Sequence, residues 1–76
     1  MSASVEDIEL HLNQAQTQVE RINALNALAY AVNRSDPKRA LMLAEQAQQL
    51  SKEGDFVENP YKKGLAESMR TLGMLK

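Results

Sequence analysis

Cysteine is absent from this chain, which excludes a disulfide framework and any thiolate metal site. Tryptophan is also absent, and aromatic residues make up only 4% of the 76 residues, so a large aromatic core is excluded and the composition favours helices over strands. An excess of positive charge is lacking too: the formal net charge is -1, and no global field attracts nucleic acid or an anionic membrane. No apolar run approaches the roughly 18 residues of a membrane span, and the N-terminus lacks the basic start and apolar stretch of a signal peptide. A soluble, cytoplasmic protein is therefore expected.

What is present is the vocabulary of helices, dominated by Ala, Leu, Gln, Glu, Lys, Arg and Met. The expected fold class is all-α, about four helices arranged as antiparallel hairpins. A chain of this length is one domain at most and leaves much of its surface in water, so its core must be thin.

Capping signals divide the sequence. Ser4 with Asp7 opens a first helix across residues 1–16, carrying Val5, Ile8, Leu12 and Ala15 on one face. Thr17 with Glu20 repeats the signal, and Val19, Ile22, Leu25, Leu28, Ala29 and Val32 continue a helical stripe. No Gly or Pro separates these two segments, so one long helix is the alternative. Asp36 and Pro37 supply a cap and a first helical residue, and the short loop before them implies a hairpin over residues 17–54. The third helix is expected to run to about Lys52, with Gly54 as its left-handed stop. Asn59 and Pro60 repeat the cap-plus-proline device ahead of a fourth helix over residues 59–76, with Tyr61, Leu65, Ser68, Met69, Leu72 and Leu75 at helical spacing. That pattern runs to the last residue without a capping Gly or a polar tail, so either more chain or another molecule is expected to cover it.

From Arg21 to Ala47 the chain resembles one tetratricopeptide repeat, a helix-turn-helix unit of about 34 residues. The family's bulky-x-x-Leu-Gly-x-x-Tyr signature is approximated by Leu25, Leu28, Ala29 and Val32, and its small-residue crossing by Ala40, Ala44 and Ala47. Met69, Leu72 and Gly73 look like the start of a second repeat. The spacing departs from the family, since Leu72 lies 44 positions after Leu28 and Lys52 stands where a Pro is usual. Ser35-Asp36-Pro37 before an Ala-rich helix is similar to irregular repeats preceding output domains in bacterial signalling proteins. The resemblance implies a non-catalytic scaffold for protein-protein interaction, within a larger signalling or regulatory protein.

Chemistry is sparse. His11 has Asp7 four residues before it, but no second His completes a metal site, and an ordinary surface position is the simpler reading. Gly54, Gly64 and Gly73 are too dispersed for a phosphate loop. Neither a catalytic residue nor a cofactor is expected. A DNA-binding helix-turn-helix would offer only Lys38 and Arg39 at the start of its second helix, too few phosphate contacts.

Two surfaces stand out. Asn23, Asn26, Tyr30 and Asn33 recur along one face of the second helix, although Asn is a mediocre helix former. In the family this face lines a concave peptide groove, so a protein or peptide partner is implied; solvated positions are the alternative. Leu65, Met69, Leu72 and Leu75 form the second surface, whose bare apolar character predicts a homo-oligomer of the isolated chain, with two-fold pairing as the simplest form. Charge is uneven as well, with acids and no Lys or Arg up to Glu20, and Lys62, Lys63, Arg70 and Lys76 against Glu67 near the other end.

Overall fold

The computed structural model describes residues 5–75, apart from the side chains of residues 55, 74 and 75. Four α-helices succeed one another: α1 (Val5–Gln14), α2 (Gln18–Val32), α3 (Pro37–Leu50) and α4 (Lys62–Leu75), with one 3₁₀ turn at Gly54–Phe56. Among the described residues there is no strand, and the fold class is all-α. Among the described residues no helix is long and apolar enough to cross a membrane.

Each boundary has a local cause. α1 and α2 are separate because Thr17 Oγ1 accepts from the Glu20 N–H at 3.1 Å while the Glu20 carboxylate accepts from the Gln16 N–H at 3.0 Å. Two amides that a helix start leaves unpaired are thus satisfied without Gly or Pro. The Ser4 cap lies outside the described residues. Asp36 caps α3 by accepting from the Arg39 N–H at 3.2 Å, with Pro37 in the first turn.

Two boundaries differ from expectation. α3 stops at Leu50, and Gly54, with φ 57°, opens the 3₁₀ turn beyond it instead of closing the helix. A distant side chain adds to the backbone bonds there: Gln18 Nε2 donates to the Leu50 carbonyl at 2.6 Å and the Glu53 carbonyl at 2.8 Å, which also accept from the Glu53 and Phe56 N–H groups. The second difference concerns Asn59-Pro60, which does not cap α4. Ser51 O accepts the Tyr61 N–H at 2.8 Å, and Tyr61 O then accepts from Leu65 N at 3.0 Å, so Tyr61 occupies the position from which α4 begins.

The core lies between α2 and α3. Ile22, Leu25, Leu28, Ala29 and Val32 meet Ala40, Leu43, Ala44 and Ala47 in one buried cluster. Gln18 at the start of α2 reaches the end of α3, so the pair is antiparallel. Ala29, Ala40, Ala44 and Ala47 are fully buried, and their methyl-sized side chains allow the two axes to approach closely. The larger members fill the space at the edges, where complete burial of Ile22 or Leu28 contributes about 1.5–3 kcal/mol each.

α4 runs beside α2 in the same direction. Tyr61 meets Asn23 and Gly64 meets Asn26, each pair 38 positions apart. Gly64 is the point of closest approach, for a Cβ there would lie 2.6 Å from Ile22 Cγ2 and 2.5 Å from Ser51 Oγ. Gly73, read from sequence as the glycine of a second repeat, would meet nothing within 4 Å. The face that α4 buries is formed by Gly64, Ser68 and Thr71, a small and partly polar set. Ser68 and Thr71 satisfy their hydroxyls on the Leu65 and Glu67 carbonyls of their own helix. The stripe Leu65, Met69 and Leu72 therefore sits to one side of the contact: Leu72 packs on the core cluster, Leu65 is half-buried and Met69 is 60% exposed. The Leu75 side chain lies outside the described residues.

Two substitutions check this packing by the urea midpoint of the helical signal. Ala44→Leu is expected to overpack the α2–α3 crossing and cost about 1–3 kcal/mol. Gly64→Ala should also destabilise, although Ala is the better helix former by about 1 kcal/mol, because fully buried Ile22 is β-branched and stiff about χ1. A midpoint at or above the parent's for Gly64→Ala would remove α4 from this position.

Candidate functional site

α2 is covered on more than one side. Besides the face turned to α3 it carries Asn23, Asn26, Ala27, Tyr30 and Ala31, and these line a cavity of about 650 Å³. α1 contributes Val5 and Ile8 as one apolar wall, and α4 contributes Glu67, Arg70 and Thr71 as the other. A second cavity of about 630 Å³ lies between α1 and α2, reaching His11, Gln14 and Glu20. Ile8, Asn23 and Ala27 line both. The two are thus one cleft along α2, from Glu20 to Ala31. At about 1.5 Å per helical residue this is a path of about 16 Å, the length of about five extended residues at about 3.3 Å each.

Three of the four residues singled out on α2 line this cleft, and the fourth, Asn33, does not. Asn33 is half-buried and donates its N–H to the Tyr30 carbonyl at 3.5 Å, at the end of the helix. Tyr30 is 59% exposed and forms an open wall. Asn23 is half-buried, and its Oδ1 accepts from the Tyr61 hydroxyl at 3.1 Å. Asn26 is 4% exposed, and its Nδ2 donates to the Gly64 carbonyl at 3.2 Å. That bond fixes which end of the amide is which, since a carbonyl accepts only from the NH₂ group. Asn26 Oδ1 is then left buried without a hydrogen-bond partner.

The polar stripe is therefore divided by depth. Asn26 and Asn23 join α2 to α4, while Tyr30 and Ala27 remain open to a ligand. Tyr61 was not singled out in sequence for this role, yet its ring stacks on Phe56 with centroids 5.4 Å apart while its hydroxyl reaches Asn23. α4 supplies the cleft's one guanidinium, Arg70, which is exposed and makes no ion pair among the described residues. At the other end Glu20 is engaged by the Gln16 N–H. The cleft thus offers an apolar floor, the exposed Tyr30 ring and hydroxyl and one uncommitted cation.

Leu65, Met69 and Leu72 lie outside the cleft, as does Met42, which projects from α3 beside Glu45, Gln46 and Gln49. Among the described residues no group of three or more His, Cys, Asp or Glu gathers to hold a metal. No protein-family model, curated protein or solved structure matches the chain.

The depth of Asn26 is testable. Asn26→Asp replaces the buried donor by an oxygen facing the Gly64 carbonyl and should lower stability by more than about 2 kcal/mol at neutral pH. Asn26→Ala removes the bond and the unpartnered oxygen together, so its stability should stay within about 1 kcal/mol of the parent. Equal urea midpoints for the two variants would show that no donor at this position holds α4.

Proposed function

We propose that this chain is a non-catalytic protein-interaction module whose cleft along α2 holds a short extended peptide. The observation that carries the reading is the gathering of Asn23, Asn26 and Tyr30 with Arg70 and Thr71 of α4 around an apolar floor. The helix order also supports a tetratricopeptide-like unit: an antiparallel pair, α2 and α3, followed by α4 parallel to α2. In such a unit the first helices of successive repeats face the ligand side by side. Here α2 and α4 lie side by side with a register of 38 residues.

The ligand chemistry follows from the walls. Ala27 and Ala31 leave room above the floor, Val5 and Ile8 favour apolar side chains, and the exposed Tyr30 hydroxyl and Arg70 guanidinium can donate to the carbonyl groups of an extended backbone. A cleft of this size orders few residues, so affinity is modest and suits a regulated contact within a larger cytoplasmic signalling protein.

The experiment uses a displayed library of random peptides, with the affinity of enriched sequences measured by fluorescence anisotropy. Ala27 is exposed and belongs to both halves of the cleft, so Ala27→Arg should fill it and lower affinity at least about tenfold, which is about 1.4 kcal/mol. Tyr30→Ala should weaken binding by a smaller factor, and neither change should alter helicity. Undiminished binding by Ala27→Arg would place the peptide elsewhere on the molecule.

A further inference from the structure

The two helices at the ends of the chain each leave an outer face uncovered, and those faces are opposite in charge. On α1, Leu10 is 53% exposed, with exposed Glu6 one turn before it and exposed Asn13 one turn after. α1 holds Glu6, Asp7 and Glu9 and no Lys or Arg. Glu9 pairs with Arg39 of α3 at 2.7 Å, and exposed Glu6 and Asp7, four and three residues before Leu10, supply the acidic character of the outer face. On α4, Met69 is 60% exposed, with Lys62 two turns before it on the same face. Exposed Ala66 and Gly73 lie one turn to either side, and a Cβ at Gly73 meets nothing. Space beside Met69 is therefore open to an approaching helix. Lys63 and Arg70 flank the same helix, against Glu67 alone.

We propose that the α4 face of one molecule docks on the α1 face of a second copy, head to tail. Charge selects this arrangement over two-fold pairing. An α4–α4 contact joins two faces that both carry net positive charge, Lys62, Lys63 and Arg70 against Glu67, and bringing like charge together is unfavourable. The α1–α4 contact instead brings the Lys62 end of one face to the Glu6 end of the other and seats Met69 against Leu10. Met is suited to this because its unbranched side chain adapts to an irregular surface. Each face appears once per molecule and differs from its complement, so the contact is heterologous and propagates from molecule to molecule, into a ring or an open chain. With one large apolar side chain per face the association is weak, and it is sensitive to salt because its charges are exposed.

Sedimentation equilibrium on the whole chain tests this, with Leu10→Lys and Met69→Glu as the variants. Both positions are exposed, so unchanged helicity is expected. The parent should show a mass that rises with concentration, and the rise should fall when salt is increased from about 50 mM to about 500 mM, where the Debye length is below about 10 Å. Each variant alone should be a monomer. An equimolar mixture should recover a dimer, because Leu10→Lys retains the α4 face and Met69→Glu retains the α1 face. Association of Leu10→Lys alone would mean α4–α4 pairing, and association of Met69→Glu alone would mean a face other than α4. Either result overturns the head-to-tail contact, as does a mixture that stays monomeric or a parent that is monomeric at about 1 mM. Ala27→Arg leaves both faces intact, so its effect on peptide binding and this assembly can fail independently.

Discussion

Everything in this fold depends on how closely three helix axes approach one another. Ala29, Ala40, Ala44 and Ala47 set the α2–α3 distance, and Gly64 sets the distance of α4 from both. A thin core cannot gain stability from large side chains at its centre, because bulk there would separate the axes and expose the flanks. Small residues at the crossings let Ile22, Leu25, Leu28 and Val32 interlock at the edges, where apolar area is gained. The position of α4, and with it one wall of the cleft, follows from the same constraint.

The two sides of α2 use different physics. Towards α3 the contact is apolar and tolerates no polar intrusion. Towards α4 it is made of Gly64, Ser68 and Thr71, the Tyr61–Asn23 bond and the Asn26–Gly64 bond. Polar contacts of this kind add about 0.5–1.5 kcal/mol each to a folded state, and the unpartnered oxygen of Asn26 works against them. The α2–α3 hairpin is thus the centre of the fold; α4 is held by α3 as well as by α2, and α1, which buries no residue and packs on α2, is the least anchored helix. Anything that touches Tyr30 and Arg70 at once spans α2 and α4, so filling the cleft and docking α4 strengthen each other by linkage.

Sequence reasoning reached those features whose cause is local. The Thr17–Glu20 and Asp36–Pro37 caps are decided within four residues, and the Ala40–Ala44–Ala47 row follows helical periodicity. The periodic Asn residues were legible as a face, and the structure brings Asn23, Asn26 and Tyr30 to one cleft. Their depth was not legible, because burial of Asn26 depends on a glycine 38 positions later. The inner face of α4 was only partly legible, for a related reason. Its apolar stripe drew attention to Leu65, Met69 and Leu72, whereas its contact uses the small residues Gly64, Ser68 and Thr71. Periodicity reports where apolar side chains lie, and a close crossing is made where side chains are small. Gly54 showed the same limit: its positive φ was foreseen, but not that it follows the end of the helix.

Gln18 has a consequence for the order in which the chain assembles. Its amide holds the last carbonyls of α3 from a distance of 32 residues, while the tight turn at Asp36 joins the opposite ends of the same two helices. The hairpin is therefore clasped at both ends, and fraying of α2 at its start releases α3 at its finish. Sequence-local contacts close first, from the turn outward, and each added turn shortens the loop that the Gln18 clasp must still close. Because Gly54 has no Cβ, it leaves room for that amide, which would otherwise lie 2.7 Å from the added carbon. The clasp thus forms last and opens first, so the end of the hairpin away from Asp36 is where local opening begins.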